Sequence, residues 1–275
     1  MNADLHCHST FSDGLLTPTQ LVARAYECGV QMLALTDHDE LAGLTEARCA
    51  AEGVRMRFID GVEISVSWGE GSIHIVGLRI NPLNLELSEG LERTRTSRDS
   101  RAIKMAASLA AAGIPDALEG ALRYAGNPAL ISRAHFARFL VEQGYAREVR
   151  SVFEHYLVKG KPGFVPHQWA SLAEAIGWIL ASGGMAVIAH PGSYRMSLPV
   201  MRELLGTFRD LGGQGLEVLS GAHSPEQYQE YAKLAREYGL HASRGADYHG
   251  PKESRMEFGA LPELPPDLTP VWQDW

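Results

Sequence analysis

Cysteine is scarce in this chain. Cys7, Cys28 and Cys49 are the only three in 275 residues, too few for a disulfide framework and suited to a reducing compartment. No apolar run approaches the roughly 18 residues needed to cross a bilayer. The opening MNADLHCHSTFSDG has neither a basic start nor an apolar signal core, so no membrane span is expected and a cytoplasmic location is the default. Positive charge is also in short supply. The formal net charge of −8 argues against a protein that coats nucleic acid by bulk electrostatics. Repeats and low-complexity arrays are absent.

The charge that is present is unevenly placed. Residues 93 to 150 hold ten Lys or Arg against five Asp or Glu, leaving +5 there and −13 over the rest. A basic segment therefore sits on an acidic body, and bound cations would neutralise part of that acidity.

Short β-like runs alternate with helical stretches: ADLHCH, a helix near 18 to 28, MLALTDHD, a helix near 40 to 52, RFIDGVEISV and SIHIVGLRI. This alternation predicts an α/β fold with mainly parallel strands. The rhythm breaks over 83–161, which reads as mostly helix, including SRDSRAIKMAASLAAAG, ISRAHFARFLVEQG and EVRSVFEHYLV. We expect this stretch to be an inserted helical domain capping a main domain formed by 1–82 and 162–275, where the α/β pattern resumes with MAVIAHP, GLEVLS and HASRGADYH. The proline-rich LPELPPDLTP reads as an extended tail.

His6 and His8, two apart in the first strand, should project from one face near its carboxyl end, with Cys7 on the other. Asp13 follows in the loop. His38 lies in TDHD, Glu63 in GVE, His74 in the fourth strand, His190 in AHP, and Asp247 and His249 in ADYH. Parallel α/β folds build active sites at such strand ends. Six histidines and several carboxylates there are hard to explain as core packing, because buried imidazoles and carboxylates each need a partner. Divalent cations supply one. Mixed N and O ligands suit Mn, Zn or Fe better than Ca. Two cations a few Å apart can bind a bridging water, lower its pKa and aim it at phosphorus. Asp39 is a candidate orienter or general acid, or merely a helix cap. His223, after GLEVLSGA, could bind phosphate or protonate the leaving oxygen.

The motifs HCH, TDHD, GVE, AHP and ADYH together resemble those of the polymerase and histidinol phosphatase (PHP) family, a member or neighbour of the amidohydrolase superfamily. The resemblance covers roughly 1–82 and 162–255. It implies a distorted, TIM-like (β/α)7 barrel with two or three divalent ions, Mn foremost, at its carboxyl end. His6, His8, Glu63 and Asp247 would surround one ion, with Glu63 bridging to a second held by His74 and His190. Asp13, His38 and His249 would hold a third. Many trinuclear members have histidine where this chain has Asp13, so a weaker third site is expected.

The insertion should set the substrate. Arg98, Arg101 and Lys104 are helical neighbours. Ser132, Arg133 and His135 open a later helix, and arginine suits bidentate contact with phosphate. The leading expectation is a nucleotide with two phosphates, one cleaved at the ions and the other held by the cap. Family members with such an insertion look like 3′,5′-nucleoside bisphosphate phosphatases, which implies conversion of adenosine 3′,5′-bisphosphate to AMP and phosphate. A 5′ to 3′ exoribonuclease on short RNA is the nearest alternative, followed by histidinol phosphate phosphatase. Two other classes remain: hydrolysis of a C–N bond, and a metal- or nucleotide-binding module without turnover. Tyr124, Phe136, Trp169 and Tyr194 are candidates for stacking on a base.

Overall fold

The computed structural model describes residues 1–194 and 196–275. Its barrel half begins with β1 (Ala3–Asp4), α1 (Pro18–Glu27), β2 (Met32–Leu35), α2 (Leu44–Gly53), β3 (Arg57–Trp68) and β4 (Gly71–Leu78). The helical stretch follows as α3 (Leu85–Ala111), α4 (Ala117–Leu122), α5 (Arg133–Glu142) and α6 (Val149–Val152). The chain then returns through β5 (Ala170–Ser171), α7 (Leu172–Ala181), β6 (Met185–Ile188), α8 (Leu198–Asp210), β7 (Gly215–Ser220), α9 (Pro225–Tyr238) and β8 (His241–Gly245). Thr17, Ser171 and Ser224 close capping boxes at the starts of α1, α7 and α9, so these helices begin where a hydroxyl can satisfy an orphan backbone N–H.

Seven strands run in the order β1-β2-β3-β4-β6-β7-β8, with the two-residue β5 beside β3. The Leu5 N–H donates to the Arg244 carbonyl at 3.0 Å, which nearly closes the sheet into a barrel. The strands are mainly parallel, as expected, with one exception. β4 is antiparallel to both β3 and β6, because β3 and β4 form a long hairpin turning at Gly69 (φ 55°).

Ala3, Leu5, Met32, Ala34, Ile59, Val76, Leu78, Val187 and Ala189 form one apolar cluster, joined by Val271 from the tail. Glu63 lies four residues from Ile59, His74 two from Val76 and His38 four from Ala34. An even spacing keeps a side chain on the same strand face, so these groups sit above the apolar plug. His190 is one residue out of phase with Val187 and Ala189, and its backbone turns to φ 25°. Asp247 has φ 54°. Such positions cost on the order of 1–3 kcal/mol each and concentrate at functional sites.

The helical stretch has a separate core of Ala102, Met105, Leu109, Ile114, Ile131, Phe136, Leu140, Val152 and Leu157 among others. Leu87 and Leu91, near the start of α3, belong instead to the large barrel cluster. Thus α3 is shared between the two cores.

Candidate metal centre and its cationic flank

Every residue expected to hold an ion converges on the mouth of the barrel. His6 Nε2 and His8 Nε2 are 3.2 Å apart and lie 3.2 and 3.3 Å from the two oxygens of Glu63. Asp247 Oδ1 stands 3.6 and 3.4 Å from the same two nitrogens. The other Glu63 contacts are His74 Nδ1, His190 Nε2 and His38 Nδ1, each at 2.9 Å. Asp13 Oδ1 is 3.4 Å from His249 Nε2 and 3.8 Å from His38 Nε2. His74 reaches the cluster from the first half of β4; because that strand is antiparallel, its beginning is what lies at the mouth. The thiol of Cys7 points away and donates to the Ala34 carbonyl at 3.1 Å.

These contacts suit cations rather than each other. Glu63 Oε2, His38 Nδ1, Asp13 Oδ1 and His8 Nδ1 are buried without a hydrogen-bond partner. Glu63 Oε2 and His38 Nδ1 lie 2.9 Å apart without forming an aligned hydrogen bond. Unpartnered buried polar atoms are costly, and divalent ions at the four three- or four-residue groupings within this cluster would supply the missing partner of Glu63, His38 and Asp13.

The electrostatics agree. Burial opposes charge on Glu63, yet His6, His74 and His38 hold its carboxyl well below the usual range. Asp247 is likewise held down, against its burial, by His249 and His6. Burial disfavours the charged form of His249, but Asp13 and Asp247 push it up to about 10. Cations entering here would displace protons.

A family model for the PHP domain matches residues 4–238. The chain belongs to the PHP domain family. A 3′,5′-nucleoside bisphosphate phosphatase from Chromobacterium violaceum is 50% identical over 273 residues, covering 99% of this chain and 96% of that protein. The 5′-3′ exoribonuclease Rnm of Escherichia coli K12 is 44% identical over 274 residues, covering 99% of this chain and 93% of that protein. A solved structure of an amidohydrolase from Chromobacterium violaceum with bound sulfate superposes with a TM-score of 0.97 at 49% identity, covering 100% of this chain and 95% of the other. As in the PHP family at large, the chemistry is that of a metal-dependent phosphoesterase, and the His/Asp/Glu cluster of this PHP domain is able to bind its metals.

Around the cluster lies a supporting layer that the sequence reading missed in part. Glu217, in β7, is buried and accepts from the His190 backbone N–H at 2.6 Å while its other oxygen sits 2.6 Å from His6 Nδ1. An acid in the otherwise apolar run GLEVLS was its only signal. Asp37 accepts from the Ser9 N–H, the Ser9 hydroxyl and the Ser12 hydroxyl at 2.7, 2.6 and 2.5 Å, fixing the loop that carries Asp13. The Tyr194 hydroxyl accepts from the His74 N–H at 2.9 Å and donates to the Ala189 carbonyl at 2.7 Å. It braces the cluster.

Four further expectations change. Asp39 neither caps α2, which begins beyond Gly43, nor has an oxygen free for acid catalysis: it accepts from the Ser65 N–H and hydroxyl at 2.9 and 3.0 Å and pairs with Arg98. His223 is spent on the backbone, its Nε2 accepting from the Gly192 N–H at 3.0 Å and its Nδ1 facing the Val218 carbonyl at 3.3 Å. Burial pushes it down to about 4, so it is neutral and braces the turn after His190. The Ser132 hydroxyl caps α5 and donates to Asp13, so it does not face a phosphate. Phe136 is fully buried in the helical core.

The expected cations do gather. Arg98 and Arg101 stack on Trp169, their guanidinium carbons 4.8 and 5.3 Å from the ring centroid. Arg133 lies over Phe153 at 5.6 Å. Burial, then Arg133 and Arg98, push Arg101 down to about 9, and burial followed by Arg98 also lowers Arg133. Both stay charged at neutral pH, so three cations are held together at a cost that an anion would relieve. Lys104 is exposed on the same helix. With Arg101 and Arg98 it adds to the burial that pushes His167 down to about 4. His135 Nδ1 accepts from the Ser132 N–H at 3.0 Å, which leaves the ring proton on Nε2, an atom buried without a partner.

Proposed function

We propose that this PHP enzyme removes the 3′-phosphate of a nucleoside 3′,5′-bisphosphate, converting adenosine 3′,5′-bisphosphate to AMP and phosphate. The observation that carries the reading is the partly buried group Arg98, Arg101 and Arg133 beside the cluster, in which only Arg98 is in direct ion-pair contact with a carboxylate among the described residues. A second, unreacting phosphate is the natural occupant of such a group, and Trp169 offers an aromatic face next to it. The 50% identical Chromobacterium violaceum phosphatase supports the same substrate.

In this reading 83–161 is the recognition segment and the barrel, 1–82 with 162–275, is the reaction centre. Divalent ions, Mn foremost with Zn or Fe also suited to the N and O ligand set, would supply Lewis acidity and an activated water when bound. His6, His8, Glu63 and Asp247 would hold the first ion, His74 and His190 with Glu63 the second, and Asp13, His38 and His249 the third. Glu217 orients His6 and His190. The His135 Nε2–H is placed to donate to a substrate oxygen, and Arg101 and Arg133 fix the nucleotide by its other end. Three unpaired thiols support a reducing, cytoplasmic setting, and no helix among the described residues is long and apolar enough to cross a membrane.

A second reading has support from the 44% identical exoribonuclease. The same arginines would anchor the 5′-phosphate of a short RNA while its first internucleotide phosphorus reaches the cluster. Phosphate release from adenosine 3′,5′-bisphosphate, AMP and histidinol phosphate, alongside nucleotide release from 5′-phosphorylated RNA, all with Mn, decides between them. Preference for the bisphosphate establishes the first reading, RNA the second, and silence on all four removes both.

A further inference from the structure

Asp13, His249, His38 and His8 form the outermost of the metal-binding groups, and two of these four are positioned from outside the barrel. The Ser132 hydroxyl donates to Asp13 Oδ2 at 2.9 Å. That bond turns the other oxygen, Oδ1, toward His249 and His38. The Ser132 oxygen also accepts from the Ala134 N–H at 3.1 Å, so its single proton is committed to Asp13.

Six residues further along the same helix, Arg138 is 5% exposed and donates through Nη2 to the Asp13 carbonyl at 2.5 Å. Its remaining donors grip Glu253, with Nε at 2.9 and 3.2 Å and Nη2 at 2.8 Å. Glu253 belongs to the turn that follows His249. There the Ser254 hydroxyl accepts from the His249 and Gly250 N–H groups at 2.8 and 3.0 Å. The two loops also meet directly, the Leu15 N–H donating to the His249 carbonyl at 2.7 Å. By contrast, Glu217 and Tyr194, which support the groups around His6, His74 and His190, both come from barrel segments.

We propose that Ser132 and Arg138 are positioning residues for the third cation site, so that α5 sets the affinity of that ion while the barrel alone sets the other two. Arg133 sits between them in sequence and close enough to Asp13 to feel its charge. An anion drawn to Arg133 and a cation drawn to Asp13 are therefore arranged by one helix end. The inference rests on the metal-centre reading above but not on the identity of the substrate.

The test is calorimetric titration of metal-free full-length protein with Mn alone, which needs no nucleotide and no turnover. Wild type should bind two equivalents tightly and a third more weakly. Ser132→Gly keeps a good helix cap but removes the donor to Asp13; Glu253→Gln weakens the grip of Arg138 without removing a buried cation. Each should weaken only the third equivalent, by about 10- to 100-fold, the usual effect of losing a partner of a metal ligand. Ser132→Thr should restore it. Uniform weakening of all three equivalents, an unchanged third equivalent in both variants, or a wild type that takes only two ions would overturn the proposal. A failure confined to nucleotide turnover would bear on the substrate and leave this result intact.

Discussion

Glu217 joins two histidines of the cluster, one oxygen 2.6 Å from His6 Nδ1 and the other accepting from the His190 backbone at 2.6 Å. A carboxylate behind an imidazole fixes its tautomer and ring plane, leaving His6 Nε2 free to ligate. Glu217→Ala should lower the affinity for Mn about 10- to 100-fold, with Glu217→Gln intermediate, as read by titration of the metal-free protein. A variant that binds Mn as tightly as wild type would contradict this role.

Arg133→Ala and Arg101→Ala each remove a charged hydrogen-bond donor worth about 1.5–3 kcal/mol. We expect kcat/KM for adenosine 3′,5′-bisphosphate to fall roughly 10- to 100-fold by the same scale, mostly through KM. A small aryl phosphate with no second anion should lose little. Equal losses on both substrates would place these arginines at the reacting phosphate instead.

Protons and cations compete for the same atoms, and the sign can be worked out at His249. Its pKa is raised from 6.5 to about 10 in the metal-free protein. The stabilisation from its contacts with Asp13 and Asp247 is therefore full below about 6.5 and fades as pH climbs toward 10. Metal-free protein should lose thermal stability over that window while Mn-loaded protein does not, and Mn affinity should increase with pH. Calorimetry in buffers of different ionisation enthalpy should show protons released on binding; Mn uptake independent of buffer would refute the assignment.

Arg98 is buried against Asp39. Removing one member of such a pair costs about 3–5 kcal/mol because the other is stranded. Asp39→Ala should lower the unfolding midpoint clearly. Arg98→Met together with Asp39→Leu should recover much of it, and denaturant melts of the three proteins would measure both effects.

The clustering of these residues was legible because His and Asp at the ends of apolar runs violate core composition, and a spacing of two in HCH or ADYH is visible without any tertiary information. Their supporting partners were not. Glu217 looks like one acid in a strand until β7 is seen facing the lumen. Asp39 and His223 were read as reactive from their places in or after strand-end motifs, and Ser132 as substrate-facing because it opens a basic helix, yet their atoms are taken by Arg98, Gly192 and Asp13, partners 31 to 119 residues away. The antiparallel direction of β4 is set by its short link to β3, since the two residues between Trp68 and Gly71 can join only antiparallel strands.

The shared helix α3 has a mechanical consequence. Its 27 residues make a rod about 40 Å long, with Leu87 and Leu91 seated in the barrel core and Met105 and Leu109 in the helical one. Arg98, between those anchor points, is tied to Asp39. A rod clamped at both ends and pinned in the middle is a strut rather than a hinge, so under the proposed function the distance between the arginines and the cluster would act as a fixed gauge for the spacing of a substrate's two phosphates.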